Sequence, residues 1–277
     1  MWYLRISDEY ADTRIRACRI AALPNAEPLW PAIRPGRLRP ALAADEVHVW
    51  SMSLSRPAWP IEELAGWLDA DETVRAARFH FEKHHQRFVT AHGLMRGLLS
   101  VYAGLAPAKL RIAHAANGKP RFADAELHAQ LSFNLSHSGE EAVLAVSRGA
   151  NLGVDVEVIR PLENLQALAS SHFATGELKI LKSLPVHRRH DGFFATWTRK
   201  EAYVKAIGAG LRVPLDSFEV AAHPDEPAAL RSIDGNAASV QGWTLWSDRP
   251  TMDSWAALAV DMPQAAVKSF SLQHPST

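Results

Sequence analysis

Hydrophobic and polar residues alternate from residue 46 to residue 54 (EVHVWSMSL), a pattern typical of a β-strand with one buried face. Apolar residues at helical spacing predict a helix around residues 61–68 and a longer one over residues 72–102. The sequence NGKP at 117–120 predicts a turn. Two strands are predicted after it, at 130–135 and 142–146.

The second half of the chain repeats this order of elements. Its pattern predicts a strand at LGVDVEVI, a helix at FFATWTRKEAYVKAIG, and strands at GWTLWSD and SWAALAVDM. Residues 140–147 (EEAVLAVS) are similar to residues 254–261 (SWAALAVD) at an offset of 114 residues. The same offset relates Phe79 in the first predicted long helix to Phe193 in the second. Two similarities at one offset favour a duplicated unit over a solenoid. We therefore expect an α+β fold, with two similar α+β halves packed as a pseudo-dimer and the ligand cleft between them.

Turn-forming residues suggest how the chain divides. Residues 21–45 contain five prolines and little periodicity, so residues 1–45 are predicted to form an extended N-terminal arm. The sequence SRGAN at 147–151 is a plausible hinge. We predict an N-terminal lobe at 46–150 and a C-terminal lobe at 151–277.

Composition excludes several classes of protein. The 277 residues contain 30 Lys and Arg against 30 Asp and Glu, so bulk charge does not favour a nucleic-acid binder or an acidic tail protein. The single cysteine, Cys18, excludes an internal disulfide, a multi-cysteine zinc finger and an iron–sulfur site. The charged N-terminus and the lack of a long apolar window predict a cytoplasmic protein without membrane contact.

The segment GVDVE carries two acidic residues on a predicted strand. Side chains on a strand alternate, so Asp155 and Glu157 share one face and the valines share the other. Adjacent carboxylates repel unless a cation lies between them, and Mg²⁺ prefers one or two carboxylates together with phosphate oxygens and water. A solvent-facing edge strand with incidental acids is the alternative.

A second acidic position lies on the predicted helix WTRKEAYVKA. Trp197, Glu201 and Lys205 recur at intervals of four residues and therefore share one helix face. Glu201 and Lys205 either form an ordinary surface ion pair or serve as a third metal carboxylate and a phosphate-neutralising cation.

Positive charge is concentrated in residues 72–121, which hold nine Lys and Arg but only two acids, Glu72 and Glu82. Within this stretch the turn at Gly118 and Lys119 can present an ammonium and backbone N–H groups to a phosphate. Further along, Ser136 and His137 lie in a donor-rich segment between two strands. A solvated basic helix is the alternative to an anion-binding face.

Four elements in order, NGKPRF, FNLSHSGEE, GVDVE and WTRKEAYVKAIGAGL, carry a resemblance to a known family. They resemble the signature of the 4′-phosphopantetheinyl transferase superfamily, in the two-lobed pseudo-dimeric branch that activates peptide and polyketide synthetases. The acidic strand motif and the helix motif are specific in combination, and the resemblance covers roughly residues 46–262.

The resemblance implies a coenzyme A site and a magnesium site. It makes Glu201 and Lys205 the catalytic residues, with Glu201 the general base and Lys205 near the pyrophosphate. The Mg²⁺ ligands implied are Asp155, Glu157 and Glu201. Coenzyme A would contact Arg75, Gly118, Lys119, Asn134, Ser136 and His137. Glu72 departs from the pattern, because some relatives carry a basic residue there.

The implied reaction is the magnesium-dependent transfer of phosphopantetheine from coenzyme A to a serine of an apo carrier protein, with release of 3′,5′-ADP. The enzyme is expected to be a monomer with internal pseudo-symmetry. One alternative is a non-catalytic module that binds coenzyme A or a carrier protein, and another is an α+β nucleic-acid binder. Residues 163–185, apolar with few charges, are expected to form either a carrier-contact patch or a core helix.

Overall fold

A computed structural model describes residues 41–272 of the chain, so most of the predicted N-terminal arm lies outside the described residues. The helices are α1 (Ile61–Ala65), α2 (Ala70–Ala76), α3 (Glu82–Ala103), α4 (Ala125–Gln130), α5 (Leu165–His172), α6 (Thr175–Ser183) and α7 (Arg189–Ile207). The strands are β1 (Glu46–Ser53), β2 (Ile112–His114), β3 (Pro120–Phe122), β4 (Ser132–Ser138), β5 (Glu141–Ser147), β6 (Leu152–Val158), β7 (Phe218–Val220), β8 (Leu230–Ile233), β9 (Thr244–Asp248), β10 (Ser254–Val260) and β11 (Ala266–Leu272). Across residues 41–272, no helix has the length and apolar character needed to cross a membrane.

Two sheets face each other and are covered on their outer sides by the two long helices. The first sheet has the order β11-β1-β5-β4 and the second the order β6-β10-β9. Between the sheets lies a core of small and branched residues, among them Val49, Val143, Val154 and Leu258. The opposite faces of β1 and β5 pack against α3, and those of β6 and β10 pack against α7. The layer order is therefore helix, sheet, sheet, helix.

The two halves share one topology. In the first half β1, α3, β4 and β5 follow in sequence and the strands pair as β1-β5-β4. In the second half β6, α7, β9 and β10 follow in sequence and pair as β6-β10-β9. The expected α+β fold with two similar halves is confirmed. Strand β11, which follows the second half, pairs in parallel with β1 of the first, and the predicted lobe boundaries stay a prediction.

The sequence similarity at an offset of 114 residues is out of register with this duplication. It aligns Leu144 with Leu258, but Leu144 points toward α3 whereas Leu258 points into the core between the sheets. Side chains alternate along a strand, so a shift of one residue exchanges the two faces. Two buried strands rich in Ala, Val and Leu therefore look alike in either register.

The predicted long helix at 72–102 is two helices. It breaks after α2 and restarts at α3, and Phe79 lies in the break, so its alignment with the helical Phe193 is wrong. The break lets Phe79 contact Phe88, with ring centroids 5.5 Å apart. In one continuous helix, residues nine positions apart lie on opposite faces. The hydrophobic spacing thus reflects packing that a single helix could not make.

Candidate active site

Strands β4 and β6, each at the edge of its own sheet, meet along a seam between the two halves. Ser136 Oγ donates to Asp155 Oδ1 at 3.0 Å, and two residues further along both strands Ser138 Oγ donates to Glu157 Oε2 at 2.8 Å. The Asn134 amide oxygen accepts the backbone N–H of Val154 at 2.8 Å. Hydroxyls of the first half therefore hold the two carboxylates of the second.

Helix α7 lies directly on β6 because of a glycine. A Cβ atom at Gly153 would lie 2.2 Å from the nitrogen of Ala206 and 2.3 Å from the oxygen of Ala202, so only glycine allows this approach. The contact brings Lys205 over the strand, where its Nζ lies 2.6 Å from Asp155 Oδ1 and 2.9 Å from the Ser136 hydroxyl.

Negative charge exceeds positive charge at this seam. Burial and the charge of Asp155 raise the pKa of Glu201 to about 7, and the same causes raise the pKa of Glu157. Burial alone would lower the pKa of Lys205, but Asp155 and the other carboxylates hold it above its ordinary value. The lysine stays protonated. Its ammonium and the guanidinium of Arg160, whose Nη1 lies 3.3 Å from Glu157 Oε2, balance only part of the charge of three carboxylates.

The donor set fits a hard divalent cation. Asp155 Oδ2 is buried and has no hydrogen-bond partner, which is costly unless another group satisfies it. Carboxylate oxygens are the ligands that Mg²⁺ prefers. Within residues 41–272, no three His, Cys, Asp or Glu side chains already stand in the close arrangement of a metal-bound cluster. Asp155 and Glu157 nevertheless lie near enough to Glu201 for their charges to raise its pKa.

Cationic groups border the carboxylates on the side of the first half. Burial lowers the pKa of His137 to about 4, and the neighbouring charges of His92, Lys205, Arg87 and Arg75 act in the same direction. Arg75 comes from the last turn of α2. The structure thus brings the neutral imidazole of His137 next to a basic face that includes Arg75, beside the seam.

Glu72, the departure noted in the sequence, has a structural role. It closes a capping box with Asp69 at the start of α2. Its carboxylate also accepts from His92 Nδ1 at 2.8 Å and from the fully buried Arg96 at 2.5 Å. Glu72 therefore joins α2 to α3.

The turn at 117–120 contacts protein rather than standing open. Gly118 adopts a φ of 82°, which favours glycine. The ammonium of Lys119 donates to the backbone oxygens of Leu152 at 2.8 Å and Ala206 at 3.1 Å. Its predicted contact with coenzyme A stays a prediction.

The sequence of this chain is similar to those of known proteins from one family. Residues 151–259 match the family described as the 4′-phosphopantetheinyl transferase superfamily, and residues 56–149 match the 4′-phosphopantetheinyl transferase N-terminal family. The 4′-phosphopantetheinyl transferase HetI of Nostoc sp. is 37% identical over 219 residues, which cover 79% of this chain and 89% of HetI.

The chain belongs to the 4′-phosphopantetheinyl transferase superfamily. It is therefore an enzyme that transfers phosphopantetheine to carrier proteins, and not a non-catalytic binding module. The 4′-phosphopantetheinyl transferase psf-1 of Bacillus pumilus is 32% identical over 180 residues, covering 65% of this chain and 75% of that protein. The holo-[acyl-carrier-protein] synthase of Thermotoga maritima superposes with a TM-score of 0.32 at 18% identity, covering 41% of this chain and 64% of that one.

Sequence reasoning missed two side chains that contact Glu157 in the transferase, Ser138 and Arg160. A signal was present, because Ser138 lies two residues after Ser136 and so shares its strand face.

A buried ion pair was also missed. Lys200 and Glu177, almost fully buried, lie 2.8 Å apart and tie α7 to α6. Lys200 Nζ also donates to the backbone oxygens of Leu215 and Phe218. Adjacent to Glu201, this pair fixes the rotation of α7 in the transferase. Nothing in the local sequence pairs Lys200 with Glu177.

Residues 163–185 contribute to the core around α7 but also keep partly exposed apolar side chains. They form α5 and α6, and their large apolar side chains pack with Phe193 and Trp197 of α7. Phe173 and Leu181 are buried, whereas Leu165, Leu168 and Leu178 are partly buried against them, so the carrier-contact patch stays a prediction. Ile180, 37% exposed, remains at the surface of this segment.

Proposed function

We propose that this transferase moves the phosphopantetheine arm of coenzyme A to the serine hydroxyl of an apo acyl or peptidyl carrier protein, with Mg²⁺ as cofactor and 3′,5′-ADP as the second product. The observation that carries the proposal is the group of three carboxylates beside a basic face, with one buried carboxylate oxygen left without a partner. A dianionic pyrophosphate needs both features at once.

The reaction forms one P–O bond and breaks another. The serine oxygen attacks the phosphorus that carries the pantetheine arm, and the bond from that phosphorus to the oxygen of 3′,5′-ADP breaks. Bound Mg²⁺ would offset the negative charge of the pyrophosphate oxygens. Asp155, Glu157 and Glu201 would hold the ion.

The remaining side chains bind substrates and move protons. Glu201 accepts the serine proton, directly or through a water molecule. The ammonium of Lys205 stabilises the charge that develops on the departing 3′,5′-ADP oxygen. His137 and Arg75 contribute to binding the phosphates of coenzyme A, together with the Ser136 hydroxyl. Because one chain supplies both sides of the seam, the enzyme acts as a monomer, and a single cysteine is consistent with the cytoplasm.

The test is a mass measurement on the carrier. Apo carrier protein is incubated with the enzyme, coenzyme A and Mg²⁺, and the carrier is weighed before and after. A gain equal to one phosphopantetheine group, absent after chelation and absent with a carrier whose serine is replaced by alanine, supports the proposal. A carrier of unchanged mass across acyl, peptidyl and polyketide carriers would contradict it.

A further inference from the structure

The turn at 117–120 lies against the end of α7, the helix that carries Glu201 and Lys205. The last four carbonyls of a helix have no partners within the helix. In α7 the chain leaves the helix at Gly208, whose φ of 65° is left-handed. Asn117 Nδ2, from the other half of the molecule, donates to the Gly208 oxygen at 2.8 Å.

Lys119 binds the same helix end and the neighbouring strand. Its ammonium donates to the oxygen of Ala206, in the last turn of α7, and to that of Leu152 at the start of β6. A cation at a helix C-terminus is also favoured by the helix dipole. The ammonium therefore bridges α7 and β6 next to Gly153, where the two backbones come closest.

Lys119 has little capacity left for a ligand. Burial lowers its pKa to about 8, against the opposing charge of Asp261. An ammonium has three N–H donors, and two of those of Lys119 are engaged by carbonyls. Lys119 therefore makes structural contacts with the backbone, whereas the sequence predicted that its ammonium faces a phosphate.

We infer that Asn117 and Lys119 are positioning residues, which cap α7 from the opposite half and hold its last turn on β6 so that Lys205 and Glu201 stay at the carboxylates. Lys205 directly precedes Ala206, whose carbonyl Lys119 binds, and Glu201 lies one turn earlier. Loss of the cap frays the last turn first, since helix ends open at low cost. The expected loss of catalysis rests on the proposed function, but the expected fraying of the last turn of α7 does not.

The experiment compares Lys119→Met and Asn117→Ala with wild-type enzyme in two measurements. Amide hydrogen exchange without coenzyme A should quicken about tenfold over residues 203–208, the ratio expected from a loss of about 1.4 kcal/mol. Exchange at the end of α3 should stay unchanged, which separates local fraying from global destabilisation. In the transfer assay, kcat should fall by a similar factor while KM for coenzyme A stays within about twofold.

Two further variants sharpen the test. Lys109→Met removes an exposed lysine of the same half and should change neither measurement. Lys119→Arg keeps the charge and the donors, so it should restore most of the exchange protection and of kcat.

The inference would be overturned if amide exchange is unchanged in both variants and KM for coenzyme A rises tenfold or more in Lys119→Met. That result would show that Lys119 is a coenzyme ligand. It would leave the proposed function intact. Failure of wild-type enzyme to modify any carrier would contradict the proposed function, and the exchange measurement would still decide the cap. If Lys119→Met does not fold, Asn117→Ala carries both measurements.

Discussion

Glu201→Gln should make the metal-free protein more stable while it removes transfer activity. Glu201 is half-buried beside Asp155, and burial with that neighbouring charge raises its pKa from 4.5 to about 7. Folding therefore costs free energy whenever Glu201 must be ionised. Glutamine has nearly the same shape without the charge and removes that cost.

The gain depends on pH in a defined direction. Below pH 4.5 the carboxyl is protonated in both the folded and the unfolded chain, so its charge costs nothing. As pH rises from 4.5 to 7, the unfolded chain loses the proton that the folded protein keeps, and wild-type stability falls. Above pH 7 Glu201 is ionised in both states, and this change in pKa lowers the free energy of unfolding by its full amount, about 3 kcal/mol.

Relaxation and water penetration reduce such costs in real proteins, and we expect a net gain of about 1–3 kcal/mol at pH 8 and under about 1 kcal/mol at pH 5. The assay is equilibrium urea unfolding of chelator-treated protein at both pH values. Glu163→Gln, at an exposed position on the same half, is the control and should show no such gain.

Saturating Mg²⁺ should narrow or reverse the difference, because a ligand that binds only the folded state stabilises wild type more than a variant lacking one of its ligands. A Gln variant that is no more stable than wild type at pH 8, or whose gain is equal at pH 5, would refute the account of the carboxylate site.

Three further outcomes follow from the seam and from α7. Asp155→Ala should fold but lose at least about a hundredfold in single-turnover transfer, because a bound metal would lose one of its ligands; wild-type rates after chelation would contradict this. Ser138→Ala should raise the Mg²⁺ concentration needed for half-maximal activity about tenfold, because Glu157 loses the hydroxyl that orients its carboxylate, and Ser138→Thr should restore it. Gly153→Ala should destabilise the protein by about 1–3 kcal/mol by forcing α7 off β6, measured by urea unfolding, and an unchanged midpoint would refute the close approach.

Much of the architecture could be predicted from local pattern. The alternation at residues 46–54 and 152–158 predicted two strands that form, and the order of elements predicted two similar α+β halves. These features depend on periodicity along the chain, which the sequence displays directly. The break between α2 and α3 could not be predicted in the same way, because the contact of Phe79 with Phe88 replaces a regular helix only once the chain is folded.

The candidate site, too, could be predicted only in part from the sequence. Strand and helix periods placed Asp155, Glu157 and Glu201 on known faces but left their role open. The resemblance to a known family implied that they bind a metal, which stays a prediction. What those side chains contact was decided by tertiary structure. Ser138 holds Glu157 across a seam between two halves, and Lys119 binds a carbonyl of a helix end 87 residues away.

The sequence by itself therefore determined most of the strands, the duplicated order of the elements and the faces on which the carboxylates lie, because each depends on residues close together in the chain. Tertiary structure decided the register of the duplication, the partners of each carboxylate and the contacts of Lys119. Those depend on which backbones approach closely enough to touch, and at Gly153 that approach is set by the absence of a single Cβ atom.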